Sequence, residues 1–464
     1  MAKKKAAKEV KKHKVNKYLR TISRLREKIR KLQEEKEKLR HENKELKDII
    51  FKTKRHRTQN NTADNKVVKK RGAPFGHEGK TRNKPKEIDE TIEVEVKKCP
   101  YCHSEELTKC KRYDEHIQED IVLPKVKVTK YRHHRYYCNN CKKISAGIGK
   151  EEIPGSYIGA NAKGLANYMH YKSHMSYDKI RDLFLNLFNL AIEKSSVYGF
   201  DNQVKHKGNN IYEEIKTSLR KTNYLHVDET GWPNDGKGRW LWCMANKELI
   251  FYHINKRRSA KVVEETLGAN YQGVILSDFL NTYNKLNYKK QKCLVHLLRI
   301  SKRLQERFSR SFRIKTFCKK LNKLIKNIME THKNMQMHKI SKTDIVELRG
   351  DIKSRIKILL SLPLPYPAAD KLRRKLKNMQ HELITCLDSP YVPPHNNFVE
   401  QQIRPNVILR KITFGTRSEA GIENHQTIMS IIQTAILNNY PVLDLLKSLH
   451  LKQPISLGQL RSPP

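Results

Sequence analysis

The sequence predicts a multidomain α+β protein, and three observations support this fold class. Residues 18–50 carry a heptad repeat, residues 93–148 carry two cysteine pairs, and the pattern from residue 224 onward changes from helical to strand-like and back. A length of 464 residues suits about three domains. We therefore divide the chain into a basic N terminus with a coiled-coil helix (1–52), a basic arm or linker (53–92), a zinc ribbon (93–148), a helical region (149–221), an α/β core (222–298 and 390–440), an all-helical insertion (299–389), and a C-terminal helix and tail (441–464).

The charge balance predicts a polyanionic partner. The chain has 95 Lys and Arg against 48 Asp and Glu, a net charge of +47, which favours double-stranded DNA over a membrane surface. No apolar run approaches the ~20 residues of a membrane span, and the basic start is not followed by the apolar stretch of a secretory signal. We expect a cytoplasmic, nucleoid-associated protein whose cysteines bind metal or fill cores.

The heptad in residues 18–50 predicts self-association. Leucine dominates the d positions and isoleucine the a positions, while Lys36 and Asn43 are polar a residues. This combination favours a parallel two-stranded coiled coil, so we expect a homodimer or a higher oligomer. The alternative is a single charged helix in solution.

Residues 51–86 contain twelve Lys and Arg against two acidic residues, with glycines that interrupt regular structure. We interpret this segment as an arm that lies along DNA. The alternative is a flexible basic linker. The candidate DNA contacts are Arg71, Lys80 and Arg82.

Two C-x-x-C pairs flank a 35-residue spacer, and they predict one structural Zn²⁺ in a ribbon. The proposed ligands are Cys99, Cys102, Cys138 and Cys141, and residues 126–132 and 135–137 between the pairs alternate as strands. Cys99, Cys102 and His103 also match a haem-attachment motif, but that chemistry requires export. A cytosolic disulfide is disfavoured for the same compartment reason.

Residues 160–220 predict three helices, two of them shorter, and the third beginning near Ser195. Two short helices around the turn N-L-A-I-E-K-S-S-V suit a helix-turn-helix that binds DNA. A plain helical spacer fits the pattern equally well.

From Tyr224 the pattern predicts the order β-β-β-α-β-α-β, with an Asn-Asp-Gly hairpin at 234–236 and a fifth strand over 292–296. Asp228 and Asp278 end the first and fourth strands, which we expect to be neighbours. Two adjacent carboxylates repel each other unless cations lie between them, and hard oxygen ligands suit Mg²⁺ or Mn²⁺.

A third carboxylate follows in the segment H-N-N-F-V-E-Q-Q-I-R-P. Asn396 or Asn397 would cap a helix there, with Glu400 one turn in and Arg404 on the same face. Glu229 adjoins Asp228 but points to the opposite strand face, so we leave it out of the site. Each acid alone could be an ordinary turn or helix-end residue, whereas the three positions together indicate a phosphoryl-transfer centre.

Five blocks carry a family resemblance: D-E-T-G-W, S-D-F-L-N-T-Y-N, C-L-V-H-L-L-R, N-N-F-V-E-Q-Q-I-R-P and R-K-I-T-F-G-T. Over nearly the whole chain the sequence resembles the insertion-sequence-66 (IS66) family of DDE transposases, apart from Leu294, where the family usually has tryptophan, and an additional Phe75. The resemblance implies a ribonuclease-H-like core. It also implies that Asp228, Asp278 and Glu400 are a catalytic triad that holds two Mg²⁺ or Mn²⁺ ions.

The implied activity is binding of the element's terminal inverted repeats, cleavage there and strand transfer into target DNA, with accessory transposition proteins as further partners. Two alternatives use the same features. One is a catalytically silent, transposase-derived DNA-binding protein, and the other is a structure-specific nuclease of the same fold.

The helical stretch 301–380 has 22 Lys and Arg against six acidic residues, which predicts an inserted domain that contacts DNA. A solvated helix face is the alternative. Cys293 and His296 have metal-ligand spacing but no obvious partner, so we expect a core cysteine and a histidine that orients another ligand. The candidate phosphate contacts in this half of the chain are Arg303, Arg307, Arg373, Arg374, Arg404, Arg410 and Lys411.

Overall fold

The computed structural model describes residues 126–137, 139–141, 143–451 and 455–462, together with the isolated residues 27, 29, 87, 88, 91, 92, 103 and 105. The chain divides into two compact units, Met1–Glu119 and Asp120–Pro464, and the elements below belong to the second. The basic arm and most of the predicted coiled coil lie outside the described residues, although Glu27 and Ile29 are both helical.

A short antiparallel hairpin begins the described unit. Its strands are β1 (Arg135–Tyr137) and β2 (Ile144–Ala146), and the exposed Cys141 lies in the turn between them. The strand predicted over residues 126–132 is wrong, because this stretch has no strand conformation in the described chain. Val126 and Val128 alternate with polar residues, as in a strand, but no described residue pairs with this stretch.

The three predicted helices are confirmed as α1 (Ala160–Tyr171), α2 (Tyr177–Phe188) and α3 (Lys194–Leu219). The Ser176 side chain caps α2 by accepting a hydrogen bond from the Lys179 N–H. The fully buried Asp201 of α3 accepts hydrogen bonds from Asn167 Nδ2 at 2.6 Å and Tyr171 Oη at 3.1 Å, which fasten α1 to α3.

A mixed five-stranded sheet forms the centre of the unit, in agreement with the α+β prediction. The strands are β3 (Tyr224–Asn234), β4 (Lys237–Ala245), β5 (Ile250–Asn255), β6 (Val274–Ser277) and β7 (Lys289–Lys292), in the spatial order β5-β4-β3-β6-β7. Helix α4 (Ala260–Leu267) connects β5 to β6. Strands β5, β4 and β3 are antiparallel, whereas β3, β6 and β7 are parallel, so the predicted contact between the first and fourth strands is confirmed.

The Asn-Asp-Gly hairpin is also confirmed, with Asp235 and Gly236 at φ of 50° and 70°, as a two-residue primed turn requires. Strand β3 is longer than predicted, because it pairs with β4 as far as Asn234. Asp228 therefore lies inside β3 and not at its end. The parallel pairing with β6 stops at His226, two residues earlier, so the β6 side of β3 is free of a strand neighbour at Asp228.

The fifth strand was predicted too late in the chain. It ends at Lys292, and helix α5 (Leu294–Arg307) begins after Cys293. The run L-V-H-L-L has helical spacing, because Leu294 and Leu297 are buried on one face. The helix expected between β6 and β7 is a single 3₁₀ turn, Asn281–Lys285.

Between α5 and the last part of the core the chain is helical. Helices α6 (Phe312–Gln336), α7 (Lys342–Ser361) and α8 (Pro367–Asn378) are followed by 3₁₀ turns at Gln380–Leu383 and Thr385–Asp388. Apolar side chains from these elements and α5 form a core that also includes Val274 and Leu276 of β6.

The C-terminal helices return to the central sheet. They are α9 (Asn397–Thr413), α10 (Glu419–Leu437), α11 (Val442–His450) and α12 (Leu457–Arg461). Side chains of α10 accept hydrogen bonds from the outward N–H groups of edge strand β5, for example Ser430 Oγ from Tyr252 at 2.9 Å and Thr434 Oγ1 from Ile250 at 3.1 Å. This covers an edge that would otherwise be open to pairing. In the described residues, no helix combines the length and the apolar character that crossing a membrane requires.

Candidate active site

Three separate elements supply the predicted acidic residues. Asp228 lies in β3, Asp278 directly follows β6, and Glu400 is in the first turn of α9. Each aspartate is oriented by a backbone N–H: Asp228 Oδ1 accepts from Glu229 at 2.9 Å, and Asp278 Oδ1 accepts from Leu280 at 2.8 Å.

The structure brings these three carboxyl groups within electrostatic reach of one another. Burial raises the pKa of Asp228 from 3.8 to about 7, and the negative charges of Glu229, Asp278 and Glu400 add to the rise. In addition, Glu400 Oε1 is buried and has no hydrogen-bond partner within the described part of the chain. Crowded carboxylates with an unpaired buried oxygen are costly unless a cation neutralises them.

Asn396 positions Glu400 against β3, in a way that differs from the capping role expected for it. Asn396 is the N-cap of α9, but its side chain makes no capping hydrogen bond. Its Nδ2 donates to the Val227 carbonyl at 3.0 Å, its Oδ1 accepts from His226 Nδ1 at 2.8 Å, and its backbone N–H donates to Cys293 Sγ at 3.2 Å. We call this arrangement the Asn396 junction; it fixes the start of α9 against the strand that carries Asp228.

His226 enters the Asn396 junction as a neutral imidazole. Burial lowers its pKa to about 4, although the hydrogen bond with Asn396 acts to raise the pKa. Because Asn396 Nδ2 donates to a carbonyl, its Oδ1 must accept, so Nδ1 of His226 carries the proton.

A second set of groups surrounds Glu400 from helix α5. His296 Nε2 lies 3.7 Å from Glu400 Oε1, and Arg299 Nη1 lies 3.9 Å from Oε2. One potential ligand atom from each of Cys293, His296 and Glu400 lies within 4.8 Å of the other two. The sequence showed the Cys293–His296 spacing but not its partner, which is Glu400.

Two lysines near Asp278 were missed by the sequence reasoning about the site. Lys292 is fully buried, and its Nζ lies 3.3 Å from Ser277 Oγ. Burial lowers the pKa of Lys292 to about 8, while the charges of Glu382 and Asp278 oppose the change. The sequence offered no signal for it, because a lysine in K-K-Q-K ordinarily faces solvent.

Lys375 reaches the site from α8, within the helical insertion. Its Nζ donates to the Phe279 carbonyl at 2.7 Å and to Asn281 Oδ1 at 3.0 Å. Burial lowers the pKa of Lys375, and the nearby Asp278 carboxylate opposes that change. The insertion therefore contacts the loop that carries one of the acidic residues.

Glu229 has other partners. Its side chain is 2% exposed, forms an ion pair with Arg258 at 2.9 Å and accepts a hydrogen bond from Tyr283 Oη. Arg258 also stacks on the Trp240 ring, 4.1 Å from its centroid. Both oxygens of the Glu229 carboxylate are therefore engaged by protein side chains.

The predicted DNA contacts fall into three groups. Arg71, Lys80 and Arg82, like the proposed zinc ligands Cys99, Cys102 and Cys138, lie outside the described residues. Exposed side chains are found at Arg303, Arg307, Arg374, Arg404 and Lys411. The partly buried Arg410 donates from Nη1 to Thr230 Oγ1 at 3.1 Å and to the Gly231 carbonyl, so it is tied to β3.

The expectation for Arg373 is corrected by its burial. Arg373 is only 7% exposed, and its guanidinium donates to Asp370 and to the Leu360 carbonyl, both at 2.6 Å. The bond to Leu360 joins α8 to the end of α7. The guanidinium of Arg373 therefore lies inside the insertion, where DNA does not reach it. The neighbouring Arg374 is exposed and stays a predicted DNA contact.

The three carboxyl groups fit a divalent cation. Mg²⁺ and Mn²⁺ prefer oxygen ligands, and Asp228, Asp278 and Glu400 offer only oxygens, one of them buried and unpaired. The raised pKa of Asp228 means that a bound cation would also relieve the repulsion among these groups.

Comparison with known proteins adds two findings. The family model described as "Transposase IS66 family" matches residues 155–424, more than half of the chain. An uncharacterized protein, y4jO, of Sinorhizobium fredii is 32% identical over 87 residues, which are 19% of this chain and 27% of that protein. The chain thus spans about a quarter of the length of that relative.

Proposed function

This chain belongs to the IS66 family of transposases, and we propose that it binds the terminal inverted repeats of its own insertion sequence, cleaves DNA there and joins the freed 3′ ends to target DNA. The observation that carries the proposal is that Asp278 and Glu400 lie close enough to Asp228 for their charges to add to a rise in its pKa that burial causes first. Strand β3, the end of β6 and the first turn of α9 each contribute one carboxylate.

The three carboxylates are the proposed catalytic residues of a ribonuclease-H-like core. They would hold two Mg²⁺ or Mn²⁺ ions, which when bound supply activation of the attacking oxygen and neutralisation of the leaving oxygen in phosphoryl transfer. The protein's own task is to position these groups and to balance charge. The Asn396 junction sets the position of Glu400 relative to Asp228, and Lys375 holds the loop after Asp278.

The surroundings of the acidic residues suit a polyanionic strand. Arg299 lies beside Glu400, and Lys375 lies beside Asp278. A phosphodiester that enters this site meets cationic side chains on two sides, and these favour the phosphate without carrying sequence information. The exposed arginines of the insertion, Arg303, Arg307 and Arg374, extend the proposed contact surface.

Other parts of the proposal concern regions that lie mostly outside the described residues. We propose that residues 18–50 form a dimerising coiled coil and that Cys99, Cys102, Cys138 and Cys141 bind one structural Zn²⁺. Two DNA ends must be held at once before strand transfer, which gives self-association a purpose. A cytoplasmic, nucleoid-associated location and accessory transposition proteins belong to the same proposal.

The test is a cleavage and joining assay on labelled duplexes from the DNA that flanks the gene, with Mg²⁺ present. Wild type is compared with Asp228→Asn, and Asp235→Asn is the matched control because it makes the same change at the exposed hairpin tip of the same strand. We expect nicking and joined products from wild type and from Asp235→Asn, and none from Asp228→Asn.

Two other outcomes identify the alternatives. Metal-dependent cutting of branched DNA without joined products would indicate a structure-specific nuclease. Tight binding to the element ends without cleavage by any variant would indicate a transposase-derived DNA-binding protein.

A further inference from the structure

Glu400 lies between two groups of potential ligands that differ in chemistry. On one side is the carboxylate of Asp228, whose charge interacts with those of both Glu400 and Asp278. On the other side are the thiol of Cys293 and the imidazole of His296, and one potential ligand atom from each lies within 4.8 Å of a Glu400 carboxylate oxygen. The first group suits a hard cation such as Mg²⁺. The second, with one sulfur, one nitrogen and one oxygen, suits a borderline-soft cation such as Zn²⁺.

Arg299 Nη1 lies 3.4 Å from His296 Nε2 and 3.9 Å from Glu400 Oε2, so a cation held by His296 and Glu400 would displace this guanidinium. His296 Nε2 and Glu400 Oε1 are 3.7 Å apart, which is too long for a hydrogen bond. Two ligand atoms around a tetrahedral Zn²⁺ are about 3.3 Å apart, so a small side-chain movement would place both on one ion. The same Glu400 Oε1 and the other imidazole nitrogen, His296 Nδ1, are buried and have no hydrogen-bond partner among the described residues.

The backbone positions the sulfur for this role. Cys293 is the residue before α5, and His296 is in the first turn of that helix, so the two side chains share one face. The backbone N–H of Asn396 donates a hydrogen bond to the Cys293 sulfur at 3.2 Å. Such donors stabilise a thiolate once a metal has displaced its proton. The side chains of His296 and Glu400 are 29% and 33% exposed, so an ion has a path from solvent.

We propose that Cys293, His296 and Glu400 form a second cation site, selective for Zn²⁺-class ions, which withdraws Glu400 from the Mg²⁺ site and so inhibits DNA cleavage. The inhibitory part rests on the proposed role of Glu400 in catalysis, whereas the binding part does not. Because Zn²⁺ binds nitrogen and sulfur ligands far better than Mg²⁺ does, excess Mg²⁺ would not relieve the inhibition.

The binding test uses Co²⁺ as a spectroscopic substitute for Zn²⁺, added to the full-length chain with its predicted zinc ribbon already loaded. We expect one additional bound Co²⁺ per chain with a thiolate-to-cobalt charge-transfer band. The band disappears in Cys293→Ser, which still offers an oxygen to the Asn396 N–H. His296→Gln changes a partly exposed residue, so the protein remains folded, and it weakens Co²⁺ binding at least about tenfold. Cys318→Ser, which removes another fully buried thiol in the core of the insertion, leaves the band unchanged.

The inhibition test measures cleavage in Mg²⁺ as Zn²⁺ is added. We expect the inhibitory Zn²⁺ concentration to rise at least about tenfold in His296→Gln relative to wild type and to Cys318→Ser. Absence of a charge-transfer band in wild type, or its persistence in Cys293→Ser, would overturn the site. Equal inhibition of wild type and His296→Gln would overturn the competition for Glu400. A Cys293-dependent band in a protein that cleaves no DNA would support the site while refuting the proposed catalytic function.

Discussion

Removing the charge of Asp228 should stabilise the metal-free protein, and the effect should grow with pH. Asp228→Asn keeps the size of the side chain and an oxygen for the Glu229 N–H, but it removes a carboxylate that three neighbouring acids and burial disfavour. In the native protein its pKa is raised from 3.8 to about 7. A raised carboxyl pKa contributes stability that is fully present below the unfolded value and is lost as pH rises through the folded value.

The magnitude follows from that shift. At about 1.4 kcal/mol per pKa unit, wild type loses roughly 2.5 kcal/mol between pH 5 and pH 8 through this one group, and little further above pH 8. The Asn variant has no such loss. The unit that carries the site runs from Asp120 to Pro464. At an unfolding entropy of about 2.1 cal/mol/K per residue, the variant should melt about 3 °C above wild type at pH 8. At pH 5 the difference should be much smaller.

The assay is thermal unfolding in EDTA at pH 5, 6, 7 and 8, with Asp235→Asn as the control for an exposed aspartate. Adding Mg²⁺ at pH 8 should raise the Tm of wild type and leave that of Asp228→Asn nearly unchanged, because the cation needs the carboxylate. A Tm difference between wild type and Asp228→Asn that is constant from pH 5 to pH 8 would refute the reasoning, since the cost would then not come from ionisation.

Three further predictions concern residues around the site and in the insertion. Lys375→Met should lower the cleavage rate at least about tenfold with an unchanged Tm, because a small displacement of Asp278 would be costly for the reaction. Lys371→Met, at an exposed position of the same helix, is the control. Arg373→Met should destabilise the insertion by about 2 kcal/mol or more in urea unfolding, because it leaves buried hydrogen-bond partners unpaired. Arg374→Met should instead weaken DNA binding. The reverse result would restore Arg373 as a DNA contact. The lowered pKa of His226 contributes stability above pH 6.5 that is lost as pH falls toward 4. His226→Asn should therefore lose roughly 3 kcal/mol less free energy of unfolding than wild type over that pH interval. Equal profiles of unfolding free energy against pH would contradict the neutral form of His226.

Local signals in the sequence predicted much of the central sheet. The Asn-Asp-Gly turn located the β3–β4 hairpin, because its residues tolerate the positive φ that the turn needs. The order of apolar runs placed Asp228 and Asp278 on neighbouring strands, as the β3–β6 pairing confirms. The resemblance of five sequence blocks supplied the family, which the match over residues 155–424 confirms.

The errors arose where tertiary contacts decide the outcome. The run after Lys292 reads as a strand by composition, yet its leucines pack at helical spacing against the insertion. Arg373 has the sequence of a surface arginine, and only its contact with the Leu360 carbonyl shows that it is internal. The partners of Asn396 lie about 100 and 170 residues away, and no local pattern in a single sequence encodes contacts at that distance.

The Asn396 junction has a consequence for the order of events during synthesis. Its contact with His226 joins residues 170 positions apart, and a ribosome that adds about 5–20 residues per second needs roughly 10–30 s to cross that interval. Once Asp278 has been added, the nascent chain contains both aspartates, but until residue 396 is reached it contains neither the glutamate nor the residue that positions it. A chain that is abandoned before residue 396 therefore lacks the complete proposed site. Because the last acid arrives only after the whole insertion has been made, every fragment that ends within the insertion carries two of the three carboxylates and lacks Glu400.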